Sequence, residues 1–127
     1  MSSKSFKIEN LKLMGINFHS DDVTKTAQIY HEIFGWKIIA LSEKHASLSI
    51  VDKPKIQLFI DKIDGNCPTN PGTLTLELSR NELENKIYKN PIWQQNFQTE
   101  YKDSKKNYES WIDANYNRIW FVYSELN

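Results

Sequence analysis

Residues Met14 to Ile38, MGINFHSDDVTKTAQIYHEIFGWKI, place an alternating strand, a capped helix and a second strand in one unbroken run. Apolar Met14, Ile16 and Phe18 alternate with Gly15, Asn17 and His19, the period of a strand with one face buried. Ser20 and Asp21 can cap a following helix, Asp22 suits its electropositive start, and Val23, Ala27, Tyr30, Ile33 and Phe34 make an apolar stripe. Gly35 is a helix stop.

Beyond it, Trp36 to Ser42, Ala46 to Val51 and Lys55 to Asp61 read as strands, with Lys44 and His45 in one turn and Lys53 and Pro54 in the next. The order is βαβββ. Residues 62–72, KIDGNCPTNPG, concentrate turn formers and read as a connecting loop. After them Leu74, Leu76 and Leu78 alternate with polar partners. Ser79 and Glu82 have the spacing of a capping box, opening a short helix with Leu83 and Ile87 on one face and Pro91 beyond its end. Trp93, Phe97 and Tyr101 are evenly spaced, Lys102 to Asn107 is a polar turn, and Tyr108 to Asp113 and Arg118 to Tyr123 are two more strands. This is βαβββ again. Setting Gly15 against Thr73 superposes strand on strand and helix on helix, so the chain reads as two copies of one unit, 11–61 and 73–124, in a single domain spanning 1–127. Each unit has one sheet face covered by its helix and one left open, and pairing them would enclose a cleft.

Composition limits the partners. Sixteen basic and sixteen acidic residues cancel among 127, so no global field attracts nucleic acid or an anionic membrane. The many Tyr and Trp residues lack the basic groove that single-strand binding requires. A single cysteine, Cys67, cannot form an internal disulfide, which suits a reducing cytoplasm. The first residues carry no signal-like apolar run, and no stretch approaches the length of a membrane span.

Asp22-Val23 followed by Tyr30, Phe34, Gly35 and Trp36, together with Ile112 to Phe121, IDANYNRIWF, resembles the vicinal oxygen chelate superfamily, whose members include glyoxalases, bleomycin-resistance proteins and extradiol dioxygenases. The likeness covers nearly the whole chain. It implies an α+β fold of paired βαβββ modules in a curved, half-open mixed sheet around a central cleft. The resemblance also implies a homodimer, for which half-open sheets give a physical motive.

Metal-dependent relatives place His and Glu ligands on the first and last strands of both modules. The matching positions here are Gly15, Gln57 or Phe59, Thr73 and Trp120. None is a His or a carboxylate, so no metal and no cofactor is expected. His19 shares a strand face with Gly15 but lies four residues, roughly 13 Å, along it. His31 falls on a polar helix face and His45 in a turn.

By alternation the open faces carry Leu13, Asn17, His19, Gln57, Phe59, Thr75, Glu77, Arg118, Trp120 and Val122, joined by Trp111. From these the candidate ligand-binding residues are Asn17, His19, Gln57, Phe59, Thr75, Glu77, Trp111 and Trp120. Aromatic plates beside a few polar groups suit a small, partly aromatic or apolar ligand. His19 and Glu77 occupy equivalent positions in the repeat, and facing each other they would form an acid–base couple. Asn115 and Asn117 are expected to supply the positive-φ turn before the last strand. The sequence thus favours metal-independent small-molecule binding, like the sequestration of the bleomycin-resistance branch. The alternatives are a glyoxalase-type lyase, isomerase or dioxygenase with a displaced metal site, and an interaction module with a filled cleft.

Overall fold

The computed structural model describes residues 8–103 and 105–124. Strand β1 (Gly15–Ser20) leads into helix α1 (Val23–Phe34), then strands β2 (Lys37–Leu41), β3 (His45–Val51) and β4 (Ile56–Lys62). After the loop come β5 (Thr73–Ser79), a one-turn helix α2 (Arg80–Glu82) running into a π-helical turn (Leu83–Ile87), helix α3 (Pro91–Asn96), and strands β6 (Gln98–Asp103), β7 (Tyr108–Ile112) and β8 (Arg118–Ser124). Two four-stranded mixed sheets result, in the orders β1-β4-β3-β2 and β5-β8-β7-β6. In each, only the first strand pairs parallel, to the last strand of its own half. The expected α+β architecture is what the chain adopts.

Local chemistry explains the first helix. The Asp22 carboxylate accepts the Lys25 backbone N–H at 3.1 Å, so Asp22 is the N-cap, while Ser20 Oγ accepts the N–H of Asp22 at 2.8 Å. The cap therefore lies one residue beyond the pair expected from sequence, because Ser20 still belongs to β1 and Asp21 bridges. Gly35 ends the helix at φ +72°, its N–H bonded to the carbonyl of His31. Ser79 caps the second helix through the N–H of Glu82, as its spacing predicts. Pro91, however, opens a further helix: it occupies the first turn, where a missing N–H costs nothing, and Asn90 caps it. The spacing of four between Trp93 and Phe97 is thus helical in origin, and Lys102 and Asp103 extend β6 instead of forming a turn.

One core serves both halves. Phe18, Tyr30, Leu48, Leu58 and Ile60 from the first meet Leu74, Leu83, Trp93, Ile119 and Phe121 from the second. Rings interlock across the boundary: Tyr30 meets Phe97 edge-on at 5.7 Å, and Phe34 meets Trp93 at 6.4 Å and Phe121 at 6.5 Å. All of these side chains lie on the helix-covered sides of the sheets. The helix-free faces point away from the shared core, toward solvent, and Asn17, Thr73, Thr75 and Glu77 on them are exposed.

A polar seam closes the joint where β1 comes beside the start of β5. The Asn117 amide accepts the N–H of His19 (3.1 Å) and of Gly72 (3.0 Å) through Oδ1 and donates to the carbonyl of His19 (2.7 Å) through Nδ2. Asp113 takes the N–H groups of Asn115 and Asn117 on Oδ1, and the Tyr30 hydroxyl at 2.8 Å on Oδ2. The positive φ of this turn falls on Tyr116 at +68°, not on either asparagine. Both asparagines spend their side chains on the seam, leaving the left-handed position to the residue between them.

Candidate functional site

The register of the first sheet sets Gly15 beside Gln57, Asn17 beside Phe59 and His19 beside Asp61 on the helix-free face. Phe18 and Ser20 point the other way, into the core. In the second sheet Thr75 pairs with Trp120 and Glu77 with Val122, and Ser110 adjoins Trp120 from the far side. Of the sequence-predicted residues, Asn17, His19, Gln57 and Phe59 share one open face, and Thr75, Glu77 and Trp120 share the other.

Trp111 does not join them. It pairs with Ile119, whose side chain is in the core, and its indole packs against Trp93 and Tyr88 while Nε1–H donates to Tyr88 Oη and Glu109 Oε2, both at 3.0 Å. The expectation placing it on the open face is therefore corrected: even alternation from Trp120 puts Ser110, not Trp111, beside it. The His19–Glu77 couple does not form either. His19 Nε2 sits 2.8 Å from the carbonyl oxygen of Asn115, and Glu77 makes no ion pair among the described residues.

A different His–carboxylate pair is present. His45 is the first residue of β3, not part of the turn, and its Nδ1 lies 2.8 Å from Asp61 Oδ1 while its ring stacks on Phe59. Ser42 holds the same residue by its backbone, accepting the His45 N–H and donating to its carbonyl. An imidazole fixed through Nδ1 leaves Nε2 available for proton transfer. The signal was in the sequence: the β3–β4 hairpin pairs residues equidistant from Lys53, and His45 and Asp61 each stand eight away.

The second sheet carries an aromatic platform that sequence reasoning recognised only through Trp120. Tyr101 and Tyr108 lie 5.7 Å from the Trp120 ring, Tyr101 at 59° and Tyr108 edge-on at 72°, and 5.9 Å from each other. Beside them Arg118 grips Glu100 with two parallel hydrogen bonds, and Ser110 Oγ donates to the same carboxylate. The guanidinium holds the Glu100 carboxyl below its ordinary pKa.

The positions matching the metal ligands do not form a metal site. Gly15 has no donor, and even a bare Cβ there would stand 2.2 Å from the Gln57 carbonyl oxygen and 2.7 Å from Phe59 Cε2. Trp120 offers no donor, and Gln57 and Thr73 supply only neutral oxygens, poor partners for zinc or iron. Among the described residues no group of three or more His, Cys, Asp or Glu side chains is arranged to hold a metal.

Comparison with solved structures identifies the fold. A possible glyoxalase from Bacillus cereus superposes with a TM-score of 0.63 at 13% identity, covering 88% of this chain and 98% of that one. The fosfomycin resistance protein FosX from Listeria monocytogenes, in a complex with Mn(II) and sulfate, gives 0.65 at 14% identity, covering 94% of each chain. The bleomycin-binding protein of Streptomyces verticillus, in a complex with copper(II)-bleomycin, gives 0.62 at 11% identity, covering 93% of this chain and all of that one. The chain has the fold of the vicinal oxygen chelate superfamily. No family model matches the sequence, and no curated protein does. Among the described residues no helix is long and apolar enough to cross a membrane.

Proposed function

We propose that this protein is a metal-independent binding protein that takes a small, partly aromatic or apolar ligand against its helix-free sheet faces and sequesters it. The observation that carries this reading is the Tyr101–Tyr108–Trp120 platform: three rings on a face with no helix over it, beside the polar edge formed by Arg118, Glu100 and Thr75. Planar ligands stack on such rings, and neighbouring donors and acceptors fix their orientation. On the first sheet, Phe59 with Gln57, Asn17 and His19 would supply the opposing wall. Because the open faces turn away from the core of their own chain, the cleft is completed by a second copy, and the working form is a homodimer.

The bleomycin-binding neighbour is the functional precedent for sequestration, while neutral charge argues for a ligand less cationic than bleomycin. The test is fluorescence titration of the intact protein with a panel of planar and apolar metabolites, alongside Trp120→Leu. Saturable quenching that weakens at least tenfold in the variant is the expected result. Quenching equal in both proteins, or stoichiometric transition metal in elemental analysis of the purified protein, would overturn the reading.

A further inference from the structure

Ligand binding alone leaves the His45–Asp61 pair without a task. Across the helix-free face of the first sheet, His19, Asp61 and His45 lie side by side on β1, β4 and β3, and in the next row Asn17, Phe59 and Ser47 do the same. Among the described residues the Asp61 carboxylate serves His45 alone. The His19 ring is held by the Asn115 carbonyl, the Lys62 ammonium by that of Asp21, and neither Lys44 nor Lys62 makes an ion pair among the described residues. Asp61 on Nδ1 and the stacked Phe59 ring hold the imidazole on two sides, while Ser42 bonds its backbone through both N–H and carbonyl. With Nδ1–H given to the carboxylate, Nε2 keeps a lone pair on a side chain 46% exposed, within reach of a ligand.

Two buried polar side chains on the same face lack a partner. Ser47 is 5% exposed and Gln57 7%, yet neither the hydroxyl nor the carboxamide makes a hydrogen bond among the described residues. Alternation with Ala46, Leu48 and Leu58, all fully buried in the core, turns both toward the open face. A polar group so covered normally has its bond. Among the described residues the only buried side-chain atom shut off from any partner is the Trp93 indole nitrogen, so the tips of Ser47 and Gln57 stay reachable from outside. Both flank Phe59, where a planar ligand would lie. Ser47 stands two residues along β3 from His45, roughly 7 Å, which leaves room for a carbonyl oxygen at the hydroxyl and its neighbouring carbon at the imidazole.

We propose that this face moves a proton within a planar aromatic carbonyl compound, interconverting the keto and enol forms of a ligand whose ring stacks on Phe59. The inference rests on the reading above, that a planar ligand lies on the open faces. His45 Nε2 takes the proton from the carbon beside the carbonyl, the C–H electron pair becomes the C=C bond, and the carbonyl π pair moves onto oxygen. Ser47 donates to that oxygen as its charge grows, and Gln57 holds the far, polar end of the ligand. The imidazolium then returns the proton to oxygen, giving the enol, or to carbon, restoring the ketone. Nothing is oxidised and no co-reactant is consumed. Asp61 is a positioning residue: it orients the ring and stabilises the imidazolium without touching the ligand. Acyl transfer does not suit the same groups, because no hydrogen bond joins Ser47 to His45 among the described residues and the hydroxyl is not primed as a nucleophile.

The test incubates the full-length protein with phenylacetone or phenylpyruvate in heavy water, and proton NMR follows deuterium entering the carbon beside the carbonyl. At least one probe should exchange about a hundredfold faster than with imidazole at equal concentration. His45→Ala should fall to the imidazole rate and regain part of the loss when imidazole is added, a rescue that a purely structural histidine would not show. Asp61→Asn and Ser47→Ala should each lower kcat about tenfold with little change in KM. Asp61→Asn preserves shape, so it decides the matter even if His45→Ala fails to fold. Exchange no faster than imidazole with either probe, or a rate unaltered in Asp61→Asn, rules the proton transfer out. Probes that quench the tryptophans saturably but do not exchange sink this inference alone, whereas failure of the binding reading shows separately, as quenching that Trp120→Leu leaves unchanged.

Discussion

Tyr116 holds a left-handed backbone position, φ +68°, with a ring 70% exposed. A side chain at such a φ costs roughly 1–2 kcal/mol, while glycine gives back part of the relief through its freer unfolded chain. The ring contributes little packing in return. Tyr116→Gly should therefore stabilise the protein by about 0.5–1 kcal/mol, read as a higher urea midpoint at unchanged slope. A lower midpoint would mean that the ring does work the backbone geometry does not reveal. The sequence announced a turn at Asn115 to Asn117 but not which residue would bear its strain. That depended on where Asn115 and Asn117 aimed their amides: Asn115 bonds the backbone of Asp21 just after β1, and Asn117 the backbone of His19 in β1 and of Gly72 just before β5.

At the level of elements, strands with a clean contrast between their faces were legible and strands without it were not. In β1 and β5 the apolar set falls wholly on one side, so alternation assigned both faces correctly. In β7, Tyr108, Glu109, Ser110, Trp111 and Ile112 give each face an aromatic or aliphatic residue and a polar one, and a buried Glu109 contradicts the usual pattern outright. Trp111 was placed on the wrong face for that reason. The joint between β1 and β5 was equally hidden, because it depends on two chains of backbone meeting. A Cβ on Gly72 would come within 2.0 Å of the Asn17 carbonyl oxygen and 2.5 Å of Phe18 Cδ1. Backbone cannot yield as a side-chain tip can. Gly72→Ala should cost about 2–3 kcal/mol, measured as a fall in Tm, by forcing the seam apart. An unchanged Tm would show that β5 is free to move relative to β1.

For the molecule as a whole, stability should depend on pH most strongly at the alkaline end. Burial first, then the charge and hydrogen bond of Asp113, raise the Tyr30 phenol well above its ordinary value of 10.0, and burial raises Tyr88 likewise. A raised folded pKa means that the folded chain holds its proton more tightly than the unfolded one. The contribution is complete below the unfolded value and is lost as pH climbs beyond it. Unfolding free energy should thus hold steady to about pH 10 and fall above it. Tyr30→Phe should flatten that fall while costing about 1–2 kcal/mol at neutral pH, because Asp113 loses a buried donor. Chemical denaturation across a pH series measures both, and an unaltered alkaline slope in the variant would refute the assignment. Glu100 acts in the other sense: its lowered pKa gives a contribution present above the unfolded value of 4.5 and lost as pH falls, but solvent screening at this open site limits it to about 0.5–1 kcal/mol.

The close approach at Gly15 works as a ratchet. With the Gln57 backbone and the Phe59 ring closed over that position, no single substitution places a donor there, because the first atom of any side chain is already excluded. Phe59 would have to shrink and the β1–β4 pair would have to spread before a histidine there could be tolerated, and each step taken alone would lower stability. A chain that carries this packing can vary Trp120, Tyr101 and Tyr108 on its open face far more readily than it can place a side chain at position 15.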